Sequence, residues 1–430
     1  MTRLLVRRAR IVDPSQELDE IGDLLLEDGI VKAIGALAVA EDVDVDVDVI
    51  DADGLVATPG FIDMHVHLRE PGFEYKETIA TGCRAAVAGG FTAVAAMANT
   101  DPPNDSAAVT EFILRKAAQA DAARVYPIGT ITKGMKGEQL SEMGEMVEAG
   151  VVAVSDDGLP VRDPNVMRRA MEYATVFDVP VIEHCETPEL HPKGVMNEGY
   201  WSTALGLFGI PRASEIISVD RNVVLAELTG ARFHVAHLST SGALRRVREA
   251  KARGLAVTCE VTPHHLVLTD ESLKSYNTDA KMKPPLVTEE DRNALLEGLA
   301  DKTVDAIATD HAPHHADEKR EDFDHAPFGI VGLETAVSLC LDRLVKRGVI
   351  SLSRMVELLS SGPARVLGVA GGTLKVGSPA DVTLLDLTRQ VRVDPESFRS
   401  RGKNTPFAGW ELEGGPVTTI VGGRVAWTLE

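Results

Sequence analysis

Cysteine is scarce in this chain. Its 430 residues hold four, Cys83, Cys185, Cys259 and Cys340, and no two form a CxxC pair. That density excludes a disulfide framework and a thiolate zinc site, and points to buried free thiols in a reducing compartment. Long apolar runs are also missing, so no segment is expected to span a membrane. Positive charge is outweighed: 44 Lys and Arg face 65 Asp and Glu, a net charge of −21. Phosphate backbones want clustered Lys and Arg, so a nucleic-acid partner is not expected, although a local basic pocket remains compatible with an acidic surface. The opening Met1–Asp13 places charges where a secretion signal needs an apolar core, and its alternation reads as a first β-strand rather than a transit peptide. No repeat of solenoid type is present. What remains is an ordinary globular composition, 44% apolar and 25% charged, in a chain expected to be cytoplasmic; the acidic balance says little about a small-molecule substrate.

The organisation reads in three parts. Up to residue 57 the pattern is of short strands, Leu4–Val12, Asp23–Leu26 and Ile30–Gly35, with turns at Glu27-Asp28-Gly29 and near Gly54. Asp42–Val49 alternates Asp and Val, which reads as a half-exposed strand; a calcium repeat would need glycines at its turns. From Pro59 short apolar runs alternate with helix-length stretches. Eight strands are expected: Gly60–Met64, Ala93–Met97, Val125–Ile128, Val151–Ser155, Val179–Glu183, Arg232–Ala236, Ala256–Glu260 and Val304–Ala308. Amphipathic stretches such as Thr110–Ala120, Asn165–Phe177 and Ser241–Ala252 lie between them. Eight β-then-α units in series predict an α/β protein, a (β/α)8 TIM-type barrel over residues 58–364. After Pro363 short strands return at Leu374–Val376, Asp381–Leu385 and Val417–Val421. Residues 1–57 and 365–430 are therefore expected to pair into one small composite β domain.

Barrel enzymes carry their chemistry at the C-terminal ends of the strands. Here those ends read Asp63-Met64-His65-Val66-His67, Met97-Ala98-Asn99-Thr100, Ser155-Asp156-Asp157-Gly158, Glu183-His184-Cys185-Glu186, Ala236-His237-Leu238-Ser239 and Thr309-Asp310-His311-Ala312-Pro313-His314. Two residues apart on an extended strand, His65 and His67 face one side. His184, His237 and Asp310 can converge on the same mouth, with Asp156 or Asp157 beside them. One histidine after a strand is ordinarily structural; five matched strand ends are not independent decoration. The donor set suits Zn2+ or a similar divalent ion, and it exceeds what one tetrahedral ion needs, as two metals about 3.5–4 Å apart would require. His264 and His265 read as supports of the barrel rim, and His191, His234 and His325 as structural. The charged segment 315–326 reads as a solvated loop, with a lid over the metals as the functional alternative.

The stretch Pro59–Gly72 (PGFIDMHVHLREPG) resembles the cyclic amidohydrolase group of the amidohydrolase superfamily. Met97–Pro103 (MANTDPP), Thr262–Leu266 (TPHHL), Ile307–His314 (IATDHAPH) and Ala326–Glu334 (APFGIVGLE) narrow the resemblance to type I dihydroorotases, over nearly the whole chain. The resemblance implies reversible closure of N-carbamoyl-L-aspartate to L-dihydroorotate in pyrimidine biosynthesis, with hydrolysis by a metal-held hydroxide. It implies two zinc ions, one held by His65, His67 and Asp310, the other by His184 and His237, with Asp157 bridging. It makes Asp310 the catalytic base and then acid. It assigns Arg69, Asn99 and His314 to the substrate carboxylate and the backbone at Phe328 and Gly329 to the ring, with His67 also beside the substrate. Hydantoinases and allantoinases use a carboxylated lysine after strand 4, where this chain offers Asp157. A guanidinium at Arg69 suits a carboxylate, since it presents a bidentate fork. One departure stands out: Lys283 occupies a position where the family often carries asparagine, and either replaces an amide contact or points to solvent. Homo-oligomers, and association with aspartate transcarbamoylase, are compatible with the resemblance. A non-catalytic scaffold is not, because every expected ligand is kept.

Overall fold

Phe61–Val66 and Phe91–Ala96 are buried at every position, so apolar residues run on without the alternation of a half-exposed strand. Strands covered on both faces belong to parallel sheets wrapped by helices. The computed structural model of the protein describes residues 3–35 and 47–429. In chain order its strands are β1 (Arg3–Asp13), β2 (Leu18–Glu27), β3 (Ile30–Ile34), β4 (Asp48–Asp51), β5 (Val56–Pro59), β6 (Phe61–Val66), β7 (Phe91–Ala96), β8 (Arg124–Gly129), β9 (Ala153–Val154), β10 (Val181–Glu183), β11 (Met196–Asn197), β12 (Gly209–Ile210), β13 (Phe233–Val235), β14 (Val257–Val261), β15 (Ala306–Ile307), β16 (Val382–Arg392), β17 (Glu411–Val421) and β18 (Arg424–Thr428).

The barrel takes β6, β7, β8, β9, β10, β13, β14 and β15 in that order, each parallel to the next. Each of these strands falls on one of the eight expected segments. The ring closes where Val66 bridges His311 and His67 N–H donates to the His311 carbonyl at 2.9 Å. Between the strands the chain forms helices where caps and apolar spacing agree. Thr78, Asp163, Thr240 and Thr288 each accept a first-turn N–H and so start the helices Ile79–Ala88, Pro164–Thr175, Ser241–Ala252 and Glu289–Ala300. Pro164 at the first helical position adds a preset φ. The two-residue pair β11–β12 lies outside the barrel.

Both chain ends build the second sheet, in the order β18-β17-β16-β5-β1-β2-β3 with β4 on β1. The join is β16 against β5, antiparallel from Val382 opposite Pro59 to Leu385 opposite Val56. Val6, Ile11, Leu24, Leu26, Ala57, Val382, Leu384 and Ile420 fill its core. Three expectations change here. Leu374–Val376 is not a strand: Leu374 N–H donates to Asp13 Oδ2 at 2.7 Å and the chain then turns through Gly377 at φ +88°. β17 begins at Glu411, six residues before the expected start at Val417. β18 was not expected, although Gly422 and Gly423, both at positive φ, make the hairpin turn that leads into it. The expected strand Asp42–Val49 lies largely outside the described residues, with β4 beginning at Asp48. All four cysteines are buried and unpaired, and among the described residues no helix is long and apolar enough to cross a membrane.

Leu384 is fully buried in the composite sheet. Leu384→Ala removes its side chain from that core and is expected to lower stability by about 2–5 kcal/mol, read from urea unfolding.

Candidate active site

Five strand ends deliver six side chains to one place. β6 and the residue after it supply His65 and His67. Asp157 follows β9, His184 follows β10, His237 follows β13 and Asp310 follows β15. All six are nearly or fully buried. His237 and Asp310 stand at φ +32° and +46°, a region that costs a non-glycine residue energy and is held only where the surroundings demand it.

Asp157 is at the centre. Its Oδ1 lies 3.5 Å from His65 Nε2, 3.4 Å from His237 Nε2 and 3.9 Å from His184 Nδ1, and its Oδ2 lies 3.5 Å from His67 Nε2. Asp310 Oδ1 lies 2.9 Å from His67 Nε2 and 3.6 Å from His65 Nε2. His184 Nδ1 and His237 Nε2 are 3.0 Å apart. Three overlapping trios, His65/His237/Asp310, His65/His67/Asp157 and Asp157/His184/His237, each bring their ligand atoms within 4.8 Å of one another. Asp156, the rival on the same turn, faces elsewhere: its Oδ1 accepts from Ile131 N at 2.8 Å and Thr132 N at 3.1 Å.

The electrostatics call for positive charge between the carboxylates. Burial pushes the His65 imidazole down, but Asp157 and Asp310 outweigh it and hold its pKa well above the ordinary value. Burial pushes Asp157 up, and His65, His237 and His67 outweigh it, so its pKa lies well below the usual range. Asp310 is lowered for the same reason. A divalent cation would meet the same need, and the donors fit one: His65 Nε2 is buried with no hydrogen-bond partner.

The far nitrogens are tied. His65 Nδ1 meets Glu260 Oε1 at 2.8 Å and His67 Nδ1 meets Asn99 Oδ1 at 2.8 Å. Both acceptors require Nδ1–H, which leaves Nε2 free as a ligand atom. Glu260 is buried, yet His234, 3.4 Å away, and its hydrogen bond with His65 hold its pKa below the carboxylate range. Glu186 Oε2 lies 3.6 Å from His184 Nε2 and 2.8 Å from Lys283 Nζ. Lys283 therefore neither enters the cluster nor points freely to solvent; it pairs with Glu186.

Beside the cluster is a cationic corner. Arg69 Nε donates to the Pro313 carbonyl at 3.2 Å and Nη2 lies 3.4 Å from His314 Nε2. Lys76 Nζ lies 3.4 Å from His314 Nδ1 and 2.9 Å from Glu318. Burial, then Arg69 and Lys76, hold the His314 pKa down, so the ring is neutral and its Nε2–H donates to the Phe328 carbonyl at 2.8 Å. Gly329 N–H donates to the Lys281 carbonyl at 2.9 Å. His265 bonds the Thr262 hydroxyl at 2.7 Å and the Pro284 carbonyl at 3.1 Å, as a rim support would. His191 bonds Ser214 and His234 bonds Thr258, and His325 is exposed. Segment 315–326 is more than a solvated loop: Lys319 and Phe323 are buried, and Lys281 Nζ donates to the carbonyls of Phe323, Asp324 and Ala326 at 2.5, 3.2 and 2.7 Å.

Sequence reasoning did not single out Glu260, Glu186, Lys76 or Lys281. Glu260 left a signal, a glutamate closing an otherwise buried strand. The others act through contacts between distant segments.

A barrel with a composite terminal sheet and a buried His/Asp cluster at its strand ends defines an enzyme of the cyclic amidohydrolase type. A family model described as dihydro-orotase-like matches residues 54–243. A protein named dihydroorotase from Syntrophotalea carbinolica is 53% identical over 428 residues, covering 99% of each chain. Another from Acetivibrio thermocellus is 49% identical over 423 residues, covering 98% of each. Among solved structures, the L-hydantoinase (dihydropyrimidinase) from Arthrobacter aurescens superposes with a TM-score of 0.89 at 26% identity, over 100% of this chain and 98% of that one. The chain belongs to the dihydroorotase family.

Glu186 yields a test of the electrostatics. Burial raises its pKa, but His184 and Lys283 outweigh it and bring it to about 2. A carboxylate with a depressed pKa adds stability above its unfolded value, near 4.3, and loses it as pH falls towards about 2. Glu186→Gln is expected to flatten the fall in unfolding free energy over that interval, measured by denaturant titration at a series of pH values.

Proposed function

We propose that this protein is a dihydroorotase that interconverts N-carbamoyl-L-aspartate and L-dihydroorotate in pyrimidine biosynthesis. The observation that carries the reading is the juxtaposition of two parts. A cluster of four histidines and two aspartates suits a divalent pair, and the Arg69–Lys76–His314 corner beside it suits a carboxylate. The near full-length identity to proteins named dihydroorotase supports the substrate. His65, His67 and Asp310 would hold one zinc ion, and His184 and His237 the other, with Asp157 between them. The ions would supply Lewis acidity to the ring carbonyl and lower the pKa of water towards about 7.

The chain's own residues do the rest. Asp310 is ionised, at hydrogen-bond distance from His67, and takes the proton of the attacking water in ring opening. It then returns that proton to the leaving amide nitrogen, general base followed by general acid. Ring closure runs the same transfers in reverse. Arg69 grips the substrate carboxylate through its planar fork, with Asn99 and His314 beside it. Phe328 and Gly329 face the ring. Burial of the cluster excludes bulk water and strengthens each of these contacts. The four unpaired thiols support a reducing, cytoplasmic setting. The solved relatives named hydantoinase keep a rival substrate class in view; the placing of Asp157, with no lysine on that turn, favours dihydroorotate over hydantoin.

The test is ring opening of L-dihydroorotate by the purified, zinc-loaded protein, with hydantoin in parallel and a chelated control. Chelator-sensitive turnover of dihydroorotate alone is expected; turnover of hydantoin instead would overturn the substrate assignment. Asp310→Ala is expected to cut kcat by about 100- to 10,000-fold with an unchanged far-ultraviolet spectrum. Arg69→Ala is expected to raise KM by about 10- to 100-fold while leaving most of kcat, as loss of a charge-assisted contact made before the chemical step would.

A further inference from the structure

One side chain from outside the barrel is bonded to both of the loops on which the proposed substrate contacts stand. Asn404 lies between β16 and β17, ninety residues beyond His314 in the chain, and is 4% exposed. Its Oδ1 accepts from His314 N–H at 3.0 Å. Its Nδ2 donates to the carbonyls of Ala312 and Gly329, both at 3.0 Å. Its own carbonyl accepts from Val331 N–H at 2.9 Å. A primary amide offers an acceptor and two N–H donors in one plane, and all three are used. Aspartate would lose both donors, and glutamine would carry the same group one methylene too far.

The segment bearing Asn404 is itself tied down. Glu334 accepts from Arg399 N at 2.9 Å and Ser400 N at 3.1 Å. Glu77 accepts from the Ser400 hydroxyl at 2.5 Å and from Arg401 N at 3.3 Å. Gly402 presses on Pro313 so closely that an added Cβ would stand 2.5 Å from the proline ring. On the opposite side the Lys281 carbonyl takes the Gly329 N–H. The two loop stretches, Ala312–His314 and Phe328–Val331, also meet directly, Ala312 N–H donating to the Ile330 carbonyl at 2.9 Å and His314 Nε2–H to the Phe328 carbonyl at 2.8 Å, and the Asn404 amide adds three bonds to backbone groups of both.

We propose that Asn404 is a positioning residue for substrate binding: it fixes the backbone carrying His314 relative to Phe328 and Gly329, so that the carboxylate corner and the ring-facing wall are preformed. This rests on the reading above that those residues touch the substrate. Preformed geometry lowers the cost of ordering on binding, so its loss is read in KM.

The experiment compares kcat and KM for L-dihydroorotate, with thermal unfolding, in the zinc-loaded wild type, Asn404→Ala, Asn404→Asp and Leu384→Ala. Leu384→Ala is the control for lost stability alone, since it lies in the terminal-sheet core. Expected are a KM raised about tenfold or more in Asn404→Ala, kcat within about threefold of wild type, and a rise at least as large in Asn404→Asp, which keeps the acceptor for His314 but sets a carboxylate oxygen against the Ala312 and Gly329 carbonyls. Leu384→Ala should lose melting temperature with KM unchanged. If Asn404→Ala does not fold, Asn404→Asp carries the comparison. A wild-type KM in the Asn404 variants, or an equal KM rise in Leu384→Ala, overturns the role. A wild type inert towards L-dihydroorotate overturns instead the functional reading on which it rests.

Discussion

Asp157 is buried within 4 Å of four imidazoles and Asp310 within 4 Å of two of them, and the rest of the molecule answers to that arrangement. Neither can stay ionised in an apolar barrel without positive charge at hand, which is why the His65 pKa is held well above its ordinary value and why the donor set suits divalent ions. The residues involved come from five strand ends. Only a closed ring of parallel strands brings those ends to one mouth, so the barrel and its closure between Val66 and His311 are conditions of the site.

Around the cluster a further ring of side chains decides which atom each ligand presents. Glu260 and Asn99 take the Nδ1–H groups of His65 and His67, turning both Nε2 atoms inward. Glu186 faces His184 from the opposite side and is itself held by Lys283. The Glu260 and Glu186 carboxylates, both buried, would each cost several kcal/mol if left charged and alone in the interior. They are tolerated because each is paired. The same economy of contacts extends to the loops after β15, where Lys281 and Asn404 take up backbone groups that a long loop would otherwise leave unsatisfied.

Sequence and structure agree most closely where the signal was local. The eight barrel strands were legible because fully buried strands read as short apolar runs, and the helices because amphipathic stretches lie between them. The composite sheet was legible from the similar texture of both ends. The errors fell where local pattern misleads: Leu374–Val376 has strand-like residues but spends its N–H on Asp13, and β18 is too polar to stand out without its partner β17.

The sequence by itself determined the order of the elements, the pairing of His65 with His67 on one face, and the polar residues closing each strand, because these depend on spacings of two to four residues. Tertiary structure alone decided that Asp156 turns away to the backbone of Ile131 and Thr132, that Lys283 is taken up by Glu186, and that Glu260, Lys76 and Asn404 belong to the site's surroundings. Those facts join residues tens to hundreds of positions apart. No periodicity records such contacts, since they exist only once the barrel has closed and the C-terminal segment has folded back across its rim.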